Sequence, residues 1–258
     1  MALVSIIIPC FNQGQYLAES IGSVLASDHH ELEVIVVDDG STDPATIALL
    51  DQLDYPQTRL IRQENRGLAG ARNRGIAEAQ GSYILPLDAD DRIAPHYISQ
   101  AVAALEKDLR LGIVYCRAEK FGAEQGPWQL PPFSRWRMGL GNVIFCSAVF
   151  RKADWQQVGG YAPDLRQGWE DWDFWLSLLE LGRTVHRLDL VGFYYRKQAV
   201  SMATGMRSYL KARLHYRMLD RHRRFFGWRG TVLAPLLAPY YLLAGSLPYR
   251  WIKRELGR

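Results

Sequence analysis

The strongest constraint on this chain is an alternation: short runs rich in β-branched residues trade places with stretches of helical apolar spacing. Leu3 to Ile8 gives way to Leu17, Ile21, Val24 and Leu25 at helical spacing, and then to Leu32 to Val37. The pattern predicts helices over Ala45 to Leu53, Gly70 to Ala79 and Pro95 to Glu106, and strands over Arg59 to Arg62, Tyr83 to Leu87 and Ile113 to Cys116. Strands that alternate with helices build a wound α/β sheet, and ligands of such sheets sit beyond the carboxyl ends of the strands. Those ends carry the polar clusters here: Pro9 to Asn12, Asp38 to Ser41 and Asp88 to Asp91. The segment Phe121 to Trp136 loosens into glycine, proline and aromatic residues and reads as a long loop, with a strand resuming over Val143 to Phe150.

With 258 residues, 48% of them hydrophobic, the chain can bury one large core or two small ones. Cys10, Cys116 and Cys146 are odd in number and lie in or beside apolar runs, which argues against a disulfide framework and for small buried hydrophobes. The N-terminal apolar run lacks a basic leader and stops at Pro9, so a cytoplasmic location is expected.

Three acidic clusters are suited to chemistry. In Val37-Asp38-Asp39-Gly40-Ser41 a strand runs into paired acids and a glycine. A strand-ending turn explains that composition, and so does a carboxylate that accepts the imide N–H of a uracil. In Asp88-Ala89-Asp90-Asp91, Asp88 and Asp90 share a face if strand geometry persists, and a hard cation held there neutralises a departing pyrophosphate; Asp91 also suits a helix cap before Pro95. In Trp169-Glu170-Asp171-Trp172, acids open a helix. They complement its dipole, while the aromatic neighbours partly desolvate a carboxylate and fit it for general-base work. Between the clusters, Asn65 to Gly75 places glycines at a helix start among Arg66, Arg72 and Arg74. This is an arrangement that attracts phosphate but lacks the dinucleotide or Walker spacing, and any one of these arginines also reads as a solvated surface residue.

Ser5 to Asn12, Val37 to Ser41, Asn65 to Gly75, Asp88-Ala89-Asp90 and Trp169-Glu170-Asp171, in this order, resemble family 2 of the inverting glycosyltransferases across about residues 3–200. The resemblance implies a GT-A fold with a mixed, mainly parallel sheet flanked by helices, and sugar transfer from a nucleotide diphosphate donor, UDP above all, to an acceptor hydroxyl. It implies Asp171 as base, Asp88 and Asp90 as acids holding manganese or magnesium, and a donor site formed by Pro9, Phe11, Asn12, Asp39, Arg66, Gly67, Arg72 and Asp88. Glu170, Trp169 and Trp136 are candidates on the acceptor side, and Trp128 also suits stacking on a sugar ring. One departure stands out: Tyr194-Tyr195-Arg196-Lys197-Gln198 carries Gln198 where many relatives carry a histidine, while Ser201 keeps their hydroxyl.

The expected organisation is a catalytic domain over residues 1–205, with a nucleotide-binding half to about 115 and an acceptor half over 116–205, then a basic and apolar tail over 206–258. Arg207, Lys211, Arg213, Arg217, Arg221, Arg223 and Arg224 crowd the start of that tail, and Gly230 to Tyr249 is uncharged. Three prolines in the uncharged stretch disfavour a straight span, so an interfacial anchor on the anionic cytoplasmic leaflet is expected, the alternative being a packed tail helix. Such an anchor suits a lipid-linked acceptor of cell-surface glycan synthesis. Among the rivals, a nucleotidyltransferase would carry a glycine-rich basic loop in place of Pro9-Cys10-Phe11-Asn12, nucleic-acid binding has no reader motif, and a processive synthase would show several spans. A catalytically impaired module that only binds a nucleotide-sugar is the alternative that Gln198 keeps open.

Overall fold

A computed structural model describes residues 2–166, 168–198 and 208–227. The elements run β1 (Val4–Cys10), α1 (Gly14–Leu25), β2 (Leu32–Asp38), α2 (Pro44–Asp51), β3 (Thr58–Arg62), α3 (Gly67–Glu78), β4 (Tyr83–Pro86), β5 (Arg92–Ile93) and α4 (Tyr97–Lys107). They continue with β6 (Leu111–Gly122), β7 (Gly126–Trp128), α5 (Arg135–Leu140), β8 (Val149–Arg151), α6 (Lys152–Val158), α7 (Glu170–Glu180), β9 (Thr184–Lys197), α8 (Ser208–Arg221) and α9 (Arg223–Phe226).

The strands of the described residues form one mixed sheet in the order β3-β2-β1-β4-β8-β6-β9-β5, with β7 paired to β6. From β3 to β4 every pairing is parallel, and helices must then cover both faces. This explains why Ile6, Ile7, Ile8 and Val34 to Val37 form continuous apolar runs, all fully buried. The chain leaves β1 toward β2 and β3 and returns to β4 on the other side, so the order reverses between β1 and β4. The crevice that such a reversal opens lies beyond the carboxyl ends of these two strands. Pro9 fits inside β1 because β4 pairs only as far as Ile7, and on that side no partner waits for the N–H that proline lacks.

Beyond β4 the sheet turns antiparallel at β8 and is parallel again between β6 and β9. The long loop expected over Phe121 to Trp136 is interrupted by regular structure: β6 continues to Gly122, the chain turns back into β7, and α5 begins at Arg135. The expected strand over Val143 to Phe150 is confined to Val149–Arg151. Val143, Ile144 and Phe145 are buried without a ladder, Phe145 by stacking on Phe193 with ring centroids 4.4 Å apart. An apolar run signals burial, and here ring packing supplies it without strand pairing.

By its contacts the chain divides into a larger unit, Met1–Leu130 with Ile144–Ala199, and a smaller one, Pro131–Val143 with Val200–Arg258. In the smaller unit Leu214, His215, Met218 and Leu219 line the buried side of α8, and the His215 ring bonds the Gly139 carbonyl at 3.1 Å. Burial pulls the His215 pKa down to about 4, so the ring is neutral at ordinary pH. Among the described residues no helix is long and apolar enough to cross a membrane. Ser201 and the uncharged stretch from Gly230 to Tyr249 lie outside the described residues.

Helix α3 lies against β1 and β2 through Gly75, where an added Cβ would stand 2.5 Å from Ile7 Cγ2 and 3.0 Å from Val37 Cγ2. Both of those methyls sit on branched side chains that cannot swing away. Gly75→Ala is therefore expected to destabilise the fold by about 1–3 kcal/mol despite the better helix propensity of alanine, read as a lower midpoint of urea unfolding.

Candidate active site

The loops at the sheet reversal are built by side chains that bond to backbone. Asn12, in the left-handed region at φ 55°, accepts the N–H groups of Thr42 and Asp43 on its Oδ1 and donates its own N–H to the Ser41 hydroxyl oxygen. Asn12 thus ties the loop after β1 to the loop after β2 and is committed to that task. Next to it, Phe11 is exposed and Pro9 is buried in the sheet.

Asp39 is buried and accepts three bonds: from Gln63 Nε2 (2.6 Å) and Arg66 N (2.8 Å) on Oδ1, and from Gly67 N (2.8 Å) on Oδ2. It caps the first turn of α3 from a neighbouring strand, which satisfies amide groups that the helix leaves orphaned. Gly67 has a φ of 77° and Arg66 has an exposed side chain, so the helix starts beside a cationic group. A carboxylate offers about four acceptor positions, so one is left on Asp39 Oδ2.

At the centre lies Arg72 of α3, with a side chain 1% exposed. It donates from Nη1 to Glu170 Oε1 at 2.6 Å and from Nη2 to Asp88 Oδ1 at 2.7 Å. Both terminal nitrogens meet carboxylates, which gives Arg72 a positioning role, and the solvated reading fails with its burial. Glu170, expected toward the acceptor, is 4% exposed and serves as the counter-charge. The next residue, Asn73, receives Tyr161 N (2.8 Å) and Trp155 Nε1 (3.0 Å) on its Oδ1 and donates to the Tyr161 carbonyl (2.7 Å). Two successive residues of α3 thus seat the segments that lead to α7.

Asp171 opens α7 behind Trp169, whose φ of 70° is unusual for a bulky residue and turns the chain sharply into the helix. The Trp169 ring stands edge-on to Trp172 at 5.3 Å, and Trp172 N donates to Asp171 Oδ1 at 2.7 Å. Burial raises the Asp171 pKa to about 7; Glu170 and Asp88 add to the rise, and Arg72 and the Trp172 amide oppose it. Trp136 is exposed on α5, in the smaller unit.

Asp88 to Asp91 do not continue the strand. Asp91 N bonds the Asp88 carbonyl at 3.0 Å, closing a turn, so the alternation expected to set Asp88 beside Asp90 is lost. Among the described residues, ligand atoms of Asp88, Asp91 and Cys146 lie within 4.8 Å of one another. Asp91 is fully buried, is no helix cap, and accepts Arg196 N on Oδ1 while Oδ2 lacks a hydrogen bond. Asp90 accepts the Gln198 amide on Oδ2 at 2.6 Å, and Arg196 Nε fastens the Asp90 carbonyl at 2.8 Å. Burial and the neighbouring Asp88 raise the pKa of both Asp90 and Asp91. Crowded carboxylates with an orphaned oxygen fit a hard divalent cation, which would relieve the repulsion; the Cys146 thiol, held protonated by burial and by Asp88, does not. No spacing rule marks Arg196 or Cys146 as neighbours of this turn. Cys146 is only half-buried, unlike Cys10 and Cys116.

Arg72→Met is expected to lower stability by about 3–5 kcal/mol in urea unfolding, because it strands the carboxylate of Glu170. Adding Glu170→Gln should then cost little more, a non-additivity that a double-mutant cycle measures.

Comparisons with known proteins agree with this geometry. The family described as "Glycosyl transferase family 2" matches residues 5–156. Chondroitin synthase from Escherichia coli is 30% identical over 190 residues, 71% of this chain and 27% of that protein. Hyaluronan synthase from Pasteurella multocida is 29% identical over 190 residues, 71% of this chain and 19% of that protein. The chain thus spans about a quarter or less of the length of these relatives. The crystal structure of S. aureus TarS 1–349 in complex with UDP-GlcNAc superposes with a TM-score of 0.70 at 19% identity, covering 86% of this chain and 66% of that one. The fold is that of the GT-A glycosyltransferases, with a mixed α/β sheet flanked by helices, and the chain belongs to glycosyl transferase family 2.

Proposed function

We propose that this chain is a metal-dependent inverting glycosyltransferase that moves a sugar from UDP to an acceptor hydroxyl in glycan or polysaccharide synthesis. The observation that carries the reading is a half-buried carboxylate poised near neutrality, Asp171, electrostatically coupled to the acidic turn at the sheet reversal through Arg72 and Asp88. A base with a pKa near the working pH is ionised in about half of the molecules and is a competent proton acceptor.

The chain's own groups have distinct tasks. Asp39 offers its remaining acceptor position to the imide of the nucleobase, with Pro9, Phe11 and Asn12 framing that end of the crevice and Asp88 lining its far side. Arg66 and the Gly67 end of α3 face the diphosphate with positive potential. Asp88, and Asp90 through the oxygen that Gln198 leaves open, would hold manganese or magnesium, with Asp91 behind them. When bound, the ion neutralises charge that develops on the leaving diphosphate. Asp171 accepts the proton of the attacking hydroxyl on the opposite face of the anomeric carbon, and inversion follows. The aromatic ring of Trp169 borders the acceptor approach. The exposed Arg213, Arg217, Arg221 and Arg224, set on α8 and α9 opposite their buried apolar sides, suit the anionic inner face of a membrane, where a lipid-linked acceptor would lie. That placement goes with a division into a catalytic part to about residue 205 and a tail beyond it.

Asp171→Asn should lower turnover by about 10²–10⁴-fold and leave the affinity for UDP unchanged. In the parent chain kcat/KM should fall as the pH drops through about 7, because a protonated Asp171 cannot take the hydroxyl proton. A flat profile between pH 6 and 8 would remove Asp171 from the role of base.

Titration calorimetry with UDP, GDP and dTDP, with and without manganese, tests the donor site. UDP is expected to bind best and only with the ion, with Asp90→Asn and Asp39→Ala each weakening it about tenfold or more. Binding without any transfer or donor hydrolysis would favour a module that holds a nucleotide-sugar and has lost catalysis.

A further inference from the structure

Strands β6 and β9 run parallel but part in the middle. Tyr115 pairs with Arg187 and Arg117 with Val191, so two steps along β6 oppose four along β9. The extra residues of β9 bulge outward, with Leu188 buried and Asp189 almost fully exposed. Where the strands separate, a cavity of about 330 Å³ opens, at the lower end of the size range of small-molecule sites. Bulges of this kind re-aim side chains and are common beside functional sites.

The lining combines three kinds of group. Arg117 and Arg187 bring two guanidinium groups, both on exposed residues, against a single acidic residue of the lining, Glu119. The pairing of Arg117 with Asp189, at 3.4 Å between exposed side chains, is of the solvent-screened kind that competes weakly with a ligand. Trp128 and Gln129 add a half-buried indole and an exposed amide. A flat aromatic ring suits the apolar face of a pyranose, an amide suits hydroxyl groups, and paired guanidiniums suit a planar carboxylate or a phosphate. The cavity also adjoins the acidic turn: the Trp128 ring packs on Tyr195 at 4.6 Å, and the next residue, Arg196, donates its N–H to Asp91 at 2.8 Å.

We infer that this cavity is an acceptor subsite for an anionic glycan unit, a sugar ring or polyol that carries a carboxylate or a phosphate, bound through Arg117 and Arg187 and stacked on Trp128. The inference rests on the glycosyltransferase reading and deepens it by naming the chemical class of the acceptor. The site holds a unit already present in the acceptor and takes no part in the chemical step.

The test is calorimetry on the full chain without donor, using tetragalacturonate, its neutral methyl ester and a tri(glycerol phosphate). Tetragalacturonate is expected to bind at least tenfold more tightly than the ester. The double variant Arg117→Gln/Arg187→Gln should remove that preference while the unfolding midpoint and UDP affinity hold. Both arginines are exposed, so the variant is expected to fold; Trp128→Phe, which keeps a ring, should weaken binding by a smaller factor. If the phosphate oligomer binds with the same dependence on the arginines, the site stands with phosphate as the source of charge. Equal binding of acid and ester, no binding of either anionic probe, or binding indifferent to the arginines overturns the inference. UDP binding retained in that case would leave the glycosyltransferase reading intact, whereas a parent chain that failed to bind UDP would strike at that reading instead.

Discussion

One buried cation organises this molecule. Arg72 carries a full charge in an interior where an isolated ion would be costly, and it is tolerable there only because Asp88 and Glu170 meet it from two other segments at hydrogen-bond distance. The geometric demand runs both ways. The loop after β4 must stop where Asp88 reaches Nη2, and α7 must begin where Glu170 reaches Nη1. The residue after Glu170 is Asp171, so the demand that fixes the ion pair also fixes the start of the helix that presents the candidate base. The charges in this cluster do not balance locally; burial above all, and the neighbouring acids after it, raise the pKa of Asp171 and Asp90.

The polar loops depend on the same frame at one remove. Asp39 caps α3, and α3 carries Arg72 one turn further on, so the end of the crevice assigned to the nucleobase and the end assigned to the acids share one rigid helix. That helix can lie close to the sheet because Gly75 brings no side chain between it and the methyls of Ile7 and Val37. Asn73 adds a second seat on its other side by holding the Tyr161 backbone.

Much of this was legible in the sequence. Parallel central strands are buried on both faces, so Ile6 to Ile8 and Val34 to Val37 announce themselves as continuous apolar runs, and the acids that follow them fall at strand ends by necessity. The helix opened by Glu170 and Asp171 was readable for a similar reason, since first-turn acids are a local signal. What escaped is what depends on distance in space. An arginine in a glycine-rich helix reads as solvated until its two carboxylate partners, one of them nearly a hundred residues away, are seen beside it. The run Val143 to Phe150 reads as a strand because burial by ring stacking and burial by pairing leave the same apolar pattern. The turn that brings Asp91 close to Asp88 is decided by a backbone bond that no side-chain spacing encodes. Gln198 was visible as an oddity, but its bond to Asp90 was not.

The division of labour within the sheet has a consequence for substitutions. The bonds that seat α3 come from β2, from the loop after β4 and from the segments around α6 and α7, whereas the cavity on the far part of the sheet is lined from β6, β7 and β9. Substitutions at Arg117, Glu119, Gln129 or Arg187 would change what the cavity welcomes without touching a bond that positions Asp171 or the acidic turn. In a chain built this way a few strand positions can be altered to reshape the cavity while the bonds that hold the acidic turn and the start of α7 stay as they are.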